Sequence, residues 1–388
     1  MKKASVAVIL ASFLVFFSCE AMSPNQSLKT NLPVFDLDLF EQNLIDRVTW
    51  LDEPVGWAYT VSVNGVLERA ETFGDARTED DGQMDFGLNQ EINVASVTKF
   101  YTAIAVLQLL KASGLDENDL IHPYLPRTWR LGPGVTSLSF EDLLRHRSGL
   151  ESENRNFSTT LSYSGLQTAI ETGVVNPKSR AYLNVNFALF RILIPSLWSQ
   201  LPGAPAININ SDGNTEYMYQ YYMQKHIFDP LGLPLVNMSA TDATDILYYA
   251  ADDPFNDVNG IAYDDWGAIG AGGGYFMTIL EMAKLNAYFL NTEVLLDEVW
   301  RQKIYDMRLG LDLSSAYEER GPYYGKAGQI TNGVDQGVMT QVAFFPYNNV
   351  DVTVVMNTGD VMLFDGNVFD EWQTLRDVIY LAYNEAWE

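Results

Sequence analysis

The period of the hydrophobic pattern changes along the chain, and the changes mark out its elements. In "GWAYTVSVNGVLERAETFG" (56–74), two runs of strand-like character flank Asn64-Gly65. That dipeptide accepts the positive φ angles of a tight turn, so the stretch predicts an antiparallel hairpin. "TQVAFFPYNNVDVTVVMNTGD" (340–360) repeats the device around Tyr347-Asn348-Asn349. Apolar residues at helical spacing in 369–387 predict a terminal helix lying on the resulting sheet. Sheet elements from both chain ends thus bracket the middle.

Residues from about 115 to 320 read mostly as helices and loops. In "SLSFEDLLRHRSGL" (137–150), Ser139 and Asp142 have the spacing of a helix N-cap with an acidic first turn, and Gly149 suits its end. "TEYMYQYYMQKHIFDPLGL" (215–233) stops at Asp229-Pro230, because the residue before proline disfavours helical backbone. The pattern predicts an α+β fold, an antiparallel sheet flanked by helices with a mostly helical insertion. The loop between Pro195 and Tyr217 is long enough to line a cleft. No internal repeat is present.

The chain has 388 residues, 47% of them hydrophobic, enough for a large core. Its net charge of −26 repels polyanions, so nucleic acid is not an expected partner. The start, "MKKASVAVILASFLVFFSCE", has two lysines, an apolar run too short to span a bilayer comfortably, and Cys19, the only cysteine. It resembles a bacterial lipoprotein signal, with residues 1–18 as the signal, Cys19 as the lipidated anchor and residues 19–39 as a polar tether. That resemblance implies membrane attachment and a place in the cell envelope. An ordinary export signal with an incidental cysteine is the alternative, and Phe16 and Phe17 are bulkier than usual for a lipoprotein. The main domain is then 40–388.

Three histidines, His122, His146 and His226, are far apart and form no zinc pattern. There is no G-x-S-x-G elbow and no phosphate-binding loop, and "GAIGAGGGYF" (267–276) reads as a tight turn or close backbone packing. No cofactor is expected. "EINVASVTKFYTAIAVLQLLKASGL" (91–115) is different. Its apolar residues from Ile104 to Leu110 surround the helix, so the helix is buried, and Ser96 and Lys99 stand three apart at its mouth. At that spacing on a helix the two side chains meet, about 5–6 Å apart at Cβ. Burial lowers the affinity of a lysine for its proton, and a serine at a helix start lies near backbone N–H groups that can stabilise an oxyanion. S-x-x-K alone is short, and a capping serine with a solvent-facing lysine is the plainer reading.

Later segments change that balance. "AYLNVNFALF" (181–190), "GAGGGYFMTILEMAKLNAYFL" (270–290) and "GKAGQ" (325–329) follow in one order. The ensemble resembles the serine hydrolases of the class C β-lactamase, D,D-peptidase and esterase superfamily over roughly residues 50–360. The resemblance implies a β-lactamase/transpeptidase-like fold, Ser96 as nucleophile, Lys99 as its activator and Tyr182 as proton shuttle. It implies that Asn184 orients substrate and lysine, that Lys326 and Gly328 form the third motif, and that the N–H groups of Ser96 and Gln329 make the oxyanion hole. His146 reads as packing.

One departure matters. Ala327 lacks the hydroxyl that helps bind a substrate carboxylate, a loss of roughly 1.5–3 kcal/mol. This favours an ester or amide hydrolase over a β-lactamase or D,D-peptidase, although Gln329 or Thr331 are possible substitutes. A surface lipoprotein that only binds a small molecule or peptide in the cleft is the third reading.

Overall fold

The computed structural model describes residues 33–49, 53–150, 161–240, 246–251, 259–263, 265–267, 269–312, 317–318, 320–332, 334–361 and 374–387. The expected signal (1–18), Cys19 and most of the expected tether lie outside them.

Helix α1 (Leu37–Val48) leads into β1 (Gly56–Val63), β2 (Val66–Arg77), β3 (Met84–Asp85) and β4 (Ile92–Asn93). Next come α2 (Thr98–Ser113), α3 (Phe140–Leu144), α4 (Tyr163–Thr172), α5 (Asn184–Ala188), α6 (Phe190–Trp198) and α7 (Asp212–Met223). Strands β5 (Tyr249–Ala250) and β6 (Phe276–Met277) precede α8 (Ile279–Asn291) and α9 (Glu298–Met307). The chain ends with β7 (Tyr317–Glu318), β8 (Gly321–Pro322), β9 (Tyr324–Thr331), β10 (Gly337–Phe345), β11 (Val350–Met356), β12 (Thr358–Gly359) and α10 (Leu375–Glu385).

Both expected hairpins form. Asn64 and Gly65 take φ values of 53° and 77°, and Asn349 takes 54°, the left-handed backbone such turns require. The main sheet runs β9-β10-β11-β1-β2-β3, all antiparallel. β5 joins the end of β10 and pairs in parallel with β12, so the sheet is mixed at that corner and not purely antiparallel as the sequence suggests. The fold is α+β.

Strand alternation sends side chains to two separate cores. On the back face, Trp57, Tyr59 and Val61 of β1 with Val350, Val352 and Val354 of β11 pack against Phe40 and Leu44 of α1 and Val378 and Ile379 of α10. On the front face, α8 lies across β1 and β11, and Phe100 of α2 bridges Phe289 of α8 to Phe344 of β10. α8 opens with a reciprocal Thr278/Glu281 capping box, and α3 with the Ser139/Asp142 pair expected from sequence. α1 begins at Leu37, three residues before the expected domain boundary, with Asp36 accepting from the Leu39 N–H as its cap. Among the described residues no helix is long and apolar enough to cross a membrane.

Candidate active site

The site is built where β4, α2 and β9 converge. β4 pairs with β6, and Val94 N–H donates to the Tyr275 carbonyl at 2.9 Å, which fixes the strand leading to Ser96. Ala95 then takes a φ of 47°, a left-handed conformation costly for a residue with a Cβ. The Asn93 side chain holds it there by accepting from the Ala95 N–H at 2.8 Å. Ser96 therefore sits on a 3₁₀ turn (Ala95–Val97) ahead of α2, not inside the helix as its spacing to Lys99 suggests. Nor is it a cap, for α2 has no side-chain N-cap bond.

Lys99, on the first turn of α2, is fully buried. Its Nζ donates to Ser96 Oγ at 3.0 Å, to Asn184 Oδ1 at 2.7 Å and to the Gly272 carbonyl. An ammonium has three N–H donors, which these acceptors and the Tyr182 hydroxyl share. Gly272 lies in the glycine-rich run, which makes a 3₁₀ turn (Gly270–Gly272) and presents a second carbonyl, Ala271, to Thr102 at 2.9 Å. The sequence reading of a tight turn is right about conformation and silent about this role, since a backbone carbonyl has no sequence signature.

Tyr182 exposes its ring to solvent, while its hydroxyl end is enclosed by protein. The ring centre lies 5.1 Å from Lys99 Nζ and 5.3 Å from Lys326 Nζ. Burial pushes the phenol up, but the two ammonium charges and hydrogen bonds with Ser96 and Lys99 outweigh it and bring the phenol below 10. His146 packs behind, its ring 4.4 Å from that of Tyr182. Its Nδ1 lies 3.1 Å from the Leu183 carbonyl, 3.2 Å from the Leu183 N–H and 3.3 Å from the Asn186 amide nitrogen, so the ring is held against the start of α5. Burial, then the charges of Lys99, Lys326 and Arg180, hold its imidazole well below its usual value, so it is neutral packing for Tyr182.

Lys326 approaches from β9. Its Nζ donates to Asp312 Oδ1 at 2.8 Å and the Ala327 carbonyl at 2.6 Å, while Asp312 Oδ2 accepts from the Ala327 N–H at 2.6 Å. Burial lowers the Lys326 ammonium, but Asp312 and Tyr182 more than compensate and raise it. No sequence signal identified Asp312, which lies fourteen residues upstream of its partner. Gly328 is required by close approach, because a Cβ there would fall 2.3 Å from Thr340 Oγ1 and 2.6 Å from the Val94 carbonyl.

These groups border a cavity of about 360 Å³. Ser96, Asn184, Gly272 and Gly273 line one side, Trp266 and Ile269 another, and Gln329, Ile330 and Thr331 run along β9. The structure therefore brings together Ser96, Lys99, Tyr182, Asn184, Lys326, Gly328 and Gln329. The loop after α6 lines no part of this cavity and packs elsewhere, with the Ile209 carbonyl accepting from the Tyr163 hydroxyl. Among the described residues no cluster of His, Cys, Asp and Glu could hold a metal. Such an arrangement can activate a hydroxyl without a histidine: the serine oxygen has an ammonium donor on one side and a phenol of lowered proton affinity on the other.

Solved structures share the fold at low identity. A β-lactamase/D-alanine carboxypeptidase from Yersinia pestis superposes with a TM-score of 0.66 at 16% identity, covering 90% of this chain and 98% of that one. FmtA from Staphylococcus aureus gives 0.65 at 16%, covering 95% and 91%. A class C β-lactamase from Rhodobacter sphaeroides gives 0.61 at 15%, covering 90% and 99%. No curated protein sequence matches. Residues 55–367 match the Beta-lactamase family model, a span that runs from β1 past β12 and holds every side chain around the Ser96 cavity, and the chain belongs to that serine-hydrolase family.

Proposed function

We propose that the protein is a serine hydrolase that forms an acyl-enzyme on Ser96 and cleaves an ester or amide. The observation that carries this reading is the position of the Tyr182 hydroxyl among Ser96, Lys99 and Lys326. Ser96 Oγ attacks the substrate carbonyl as its proton passes to the Tyr182 phenolate. The new Oγ–C bond forms, the bond to the leaving group breaks, and Tyr182 returns the proton to the departing oxygen or nitrogen. Water then takes the place of the leaving group and the same exchange regenerates Ser96. Lys99 holds the serine oxygen and stabilises the phenolate, and Asn184 fixes Lys99. The N–H groups of Ser96 and Gln329 receive the developing oxyanion.

The pairing of Lys326 with Asp312, together with Ala327 in place of a hydroxylated residue, favours substrates without a carboxylate beside the scissile bond. The first twenty residues support export, with lipid attachment at Cys19 and residence in the cell envelope. Cys19→Ser should release the protein from the membrane fraction.

The deciding experiment is intact-protein mass after incubation with a fluorophosphonate and, separately, with benzylpenicillin, with Ser96→Ala as control. A fluorophosphonate adduct that the variant loses is the expected result. A penicilloyl adduct of comparable yield would move the assignment to a β-lactamase or D,D-peptidase. No adduct on folded protein would leave a ligand-binding cleft without catalysis.

A further inference from the structure

The glycine turn beside the nucleophile has almost no side chains of its own to hold it. In Gly270-Ala271-Gly272-Gly273-Gly274 only Ala271 carries a Cβ, and Gly270 takes a φ of 39°. Glycine backbone samples many conformations, so the direction of the Gly272 carbonyl has to be set by partners outside the turn. The Gly270 N–H donates to the Trp266 carbonyl at 3.0 Å and the Gly272 N–H to the Ile269 carbonyl at 2.9 Å. The two consecutive carbonyls of Ala271 and Gly272 are both taken by α2, one through Thr102 and the other through Lys99. Those residues stand three apart, on one face of the helix.

The Thr102 contact has a fixed direction. A carbonyl only accepts, so Thr102 Oγ1 commits its one proton to Ala271 at 2.9 Å. The Tyr219 hydroxyl of α7, 2.9 Å from the same Oγ1, must then be the donor to it. Thr102, Tyr219 and Ala271 are all fully buried, and a β-branched side chain is stiff at χ1. The hydroxyl is thus held from both sides. Behind it the Tyr219 ring stacks on Tyr275 at 6.3 Å, and the Tyr275 carbonyl accepts from Val94 in the strand leading to Ser96. Neither Thr102 nor Tyr219 lines the Ser96 cavity.

We propose that Tyr219 and Thr102 are positioning residues: they pin the peptide that leads into Gly272, so that its carbonyl meets the Lys99 ammonium and holds Lys99 beside Ser96. The placement stands on hydrogen bonds, and its consequence for rate rests on the serine-hydrolase reading.

The first test reads Lys99 itself and does not depend on catalysis. In the full protein with ¹⁵N-labelled lysine, the Lys99 ammonium signal is assigned by its loss in Lys99→Arg, and the exchange of its protons with water is measured at fixed pH. The expected result is exchange about tenfold or more faster in Thr102→Val, about threefold faster in Tyr219→Phe and close to the parent in Thr102→Ser. Lys326, held by Asp312, should be unchanged in all three. Tyr219→Phe keeps the Thr102 bond to Ala271 and carries the test if Thr102→Val does not fold. Unchanged Lys99 exchange in the folded variants, or an equal rise at Lys326, would overturn the proposal. A second arm follows fluorophosphonate labelling against pH. Thr102→Val should label about tenfold more slowly, with its rise moved to higher pH because a displaced Lys99 lowers the Tyr182 phenol less, and Thr102→Ser should recover both. A parent that does not label, with Lys99 exchange altered as expected, would defeat the hydrolase reading and leave the positioning role standing.

Discussion

The two faces of the main sheet are built on different terms. The back face, packed against α1 and α10, is largely apolar and aromatic: Phe345 stacks on Tyr383 at 3.8 Å and Trp57 on Phe73 at 4.4 Å. The front face buries Lys99, Lys326, Asn93 and Asp351 and holds Ala95 in a left-handed conformation. Each front-face feature costs stability, and most of them surround one serine hydroxyl. The back face contributes the packing that lets the front tolerate them.

The comparison breaks most sharply at Ser96. Ser96→Ala should lower kcat/KM by about 10⁴-fold or more while the protein stays folded, because the hydroxyl contributes nothing to the core. Next is Tyr182→Phe, expected to cost about 10²- to 10⁴-fold with little change in thermal unfolding. The pH profile sharpens this: acylation needs the phenolate, so the rate rises with pH through a Tyr182 titration below 10. Lys326→Met removes one of the two charges and should move that rise to higher pH; an unmoved profile would assign the base elsewhere.

The reverse pattern is expected on the back face. Phe40→Ala should destabilise by about 3–5 kcal/mol in denaturant unfolding, with kcat/KM per folded molecule unchanged. A more gradual effect, spread over pH, belongs to Asp351, on the front face of β11. Burial pushes its carboxyl up to about 7, against the opposing Ser62 hydroxyl. The folded state therefore holds its proton after the unfolded chain has lost it. Stability is fullest below the unfolded value near 4 and falls by at most about 1.4 kcal/mol per pH unit up to 7. Asp351→Asn should abolish that fall; a variant as pH-sensitive as the parent would sink the assignment.

Much of this was legible in the sequence, and for identifiable reasons. Asn64-Gly65 and Asn349 announce turns because left-handed backbone selects their residue types. The buried run of α2 announces itself by being apolar all round. α1 was there to read as well, since Phe40, Leu44 and Val48 fall on one helical face behind the Asp36 cap. The relation of Ser96 to Lys99 was read correctly in space and incorrectly in conformation: a 3₁₀ turn and an α-helix both bring residues three apart together. The unread parts are those made by distant backbone or by a distant carboxylate. The Gly272 carbonyl has no residue type, and Asp312 meets Lys326 only because the chain before β9 turns back on it.

The ends of the domain meet. Asp36 N–H donates to the Ala386 carbonyl at 2.8 Å, Phe35 bridges to Trp387, and β1 pairs along its length with β11. A growing chain thus completes its first hairpin early but cannot close the sheet until nearly all of it has been made. The central strand pair joins segments almost three hundred residues apart. Ordering it carries the loop-closure entropy of the whole intervening chain, so assembly of the nucleophile's scaffold is late, slow and sensitive to truncation at the final helix.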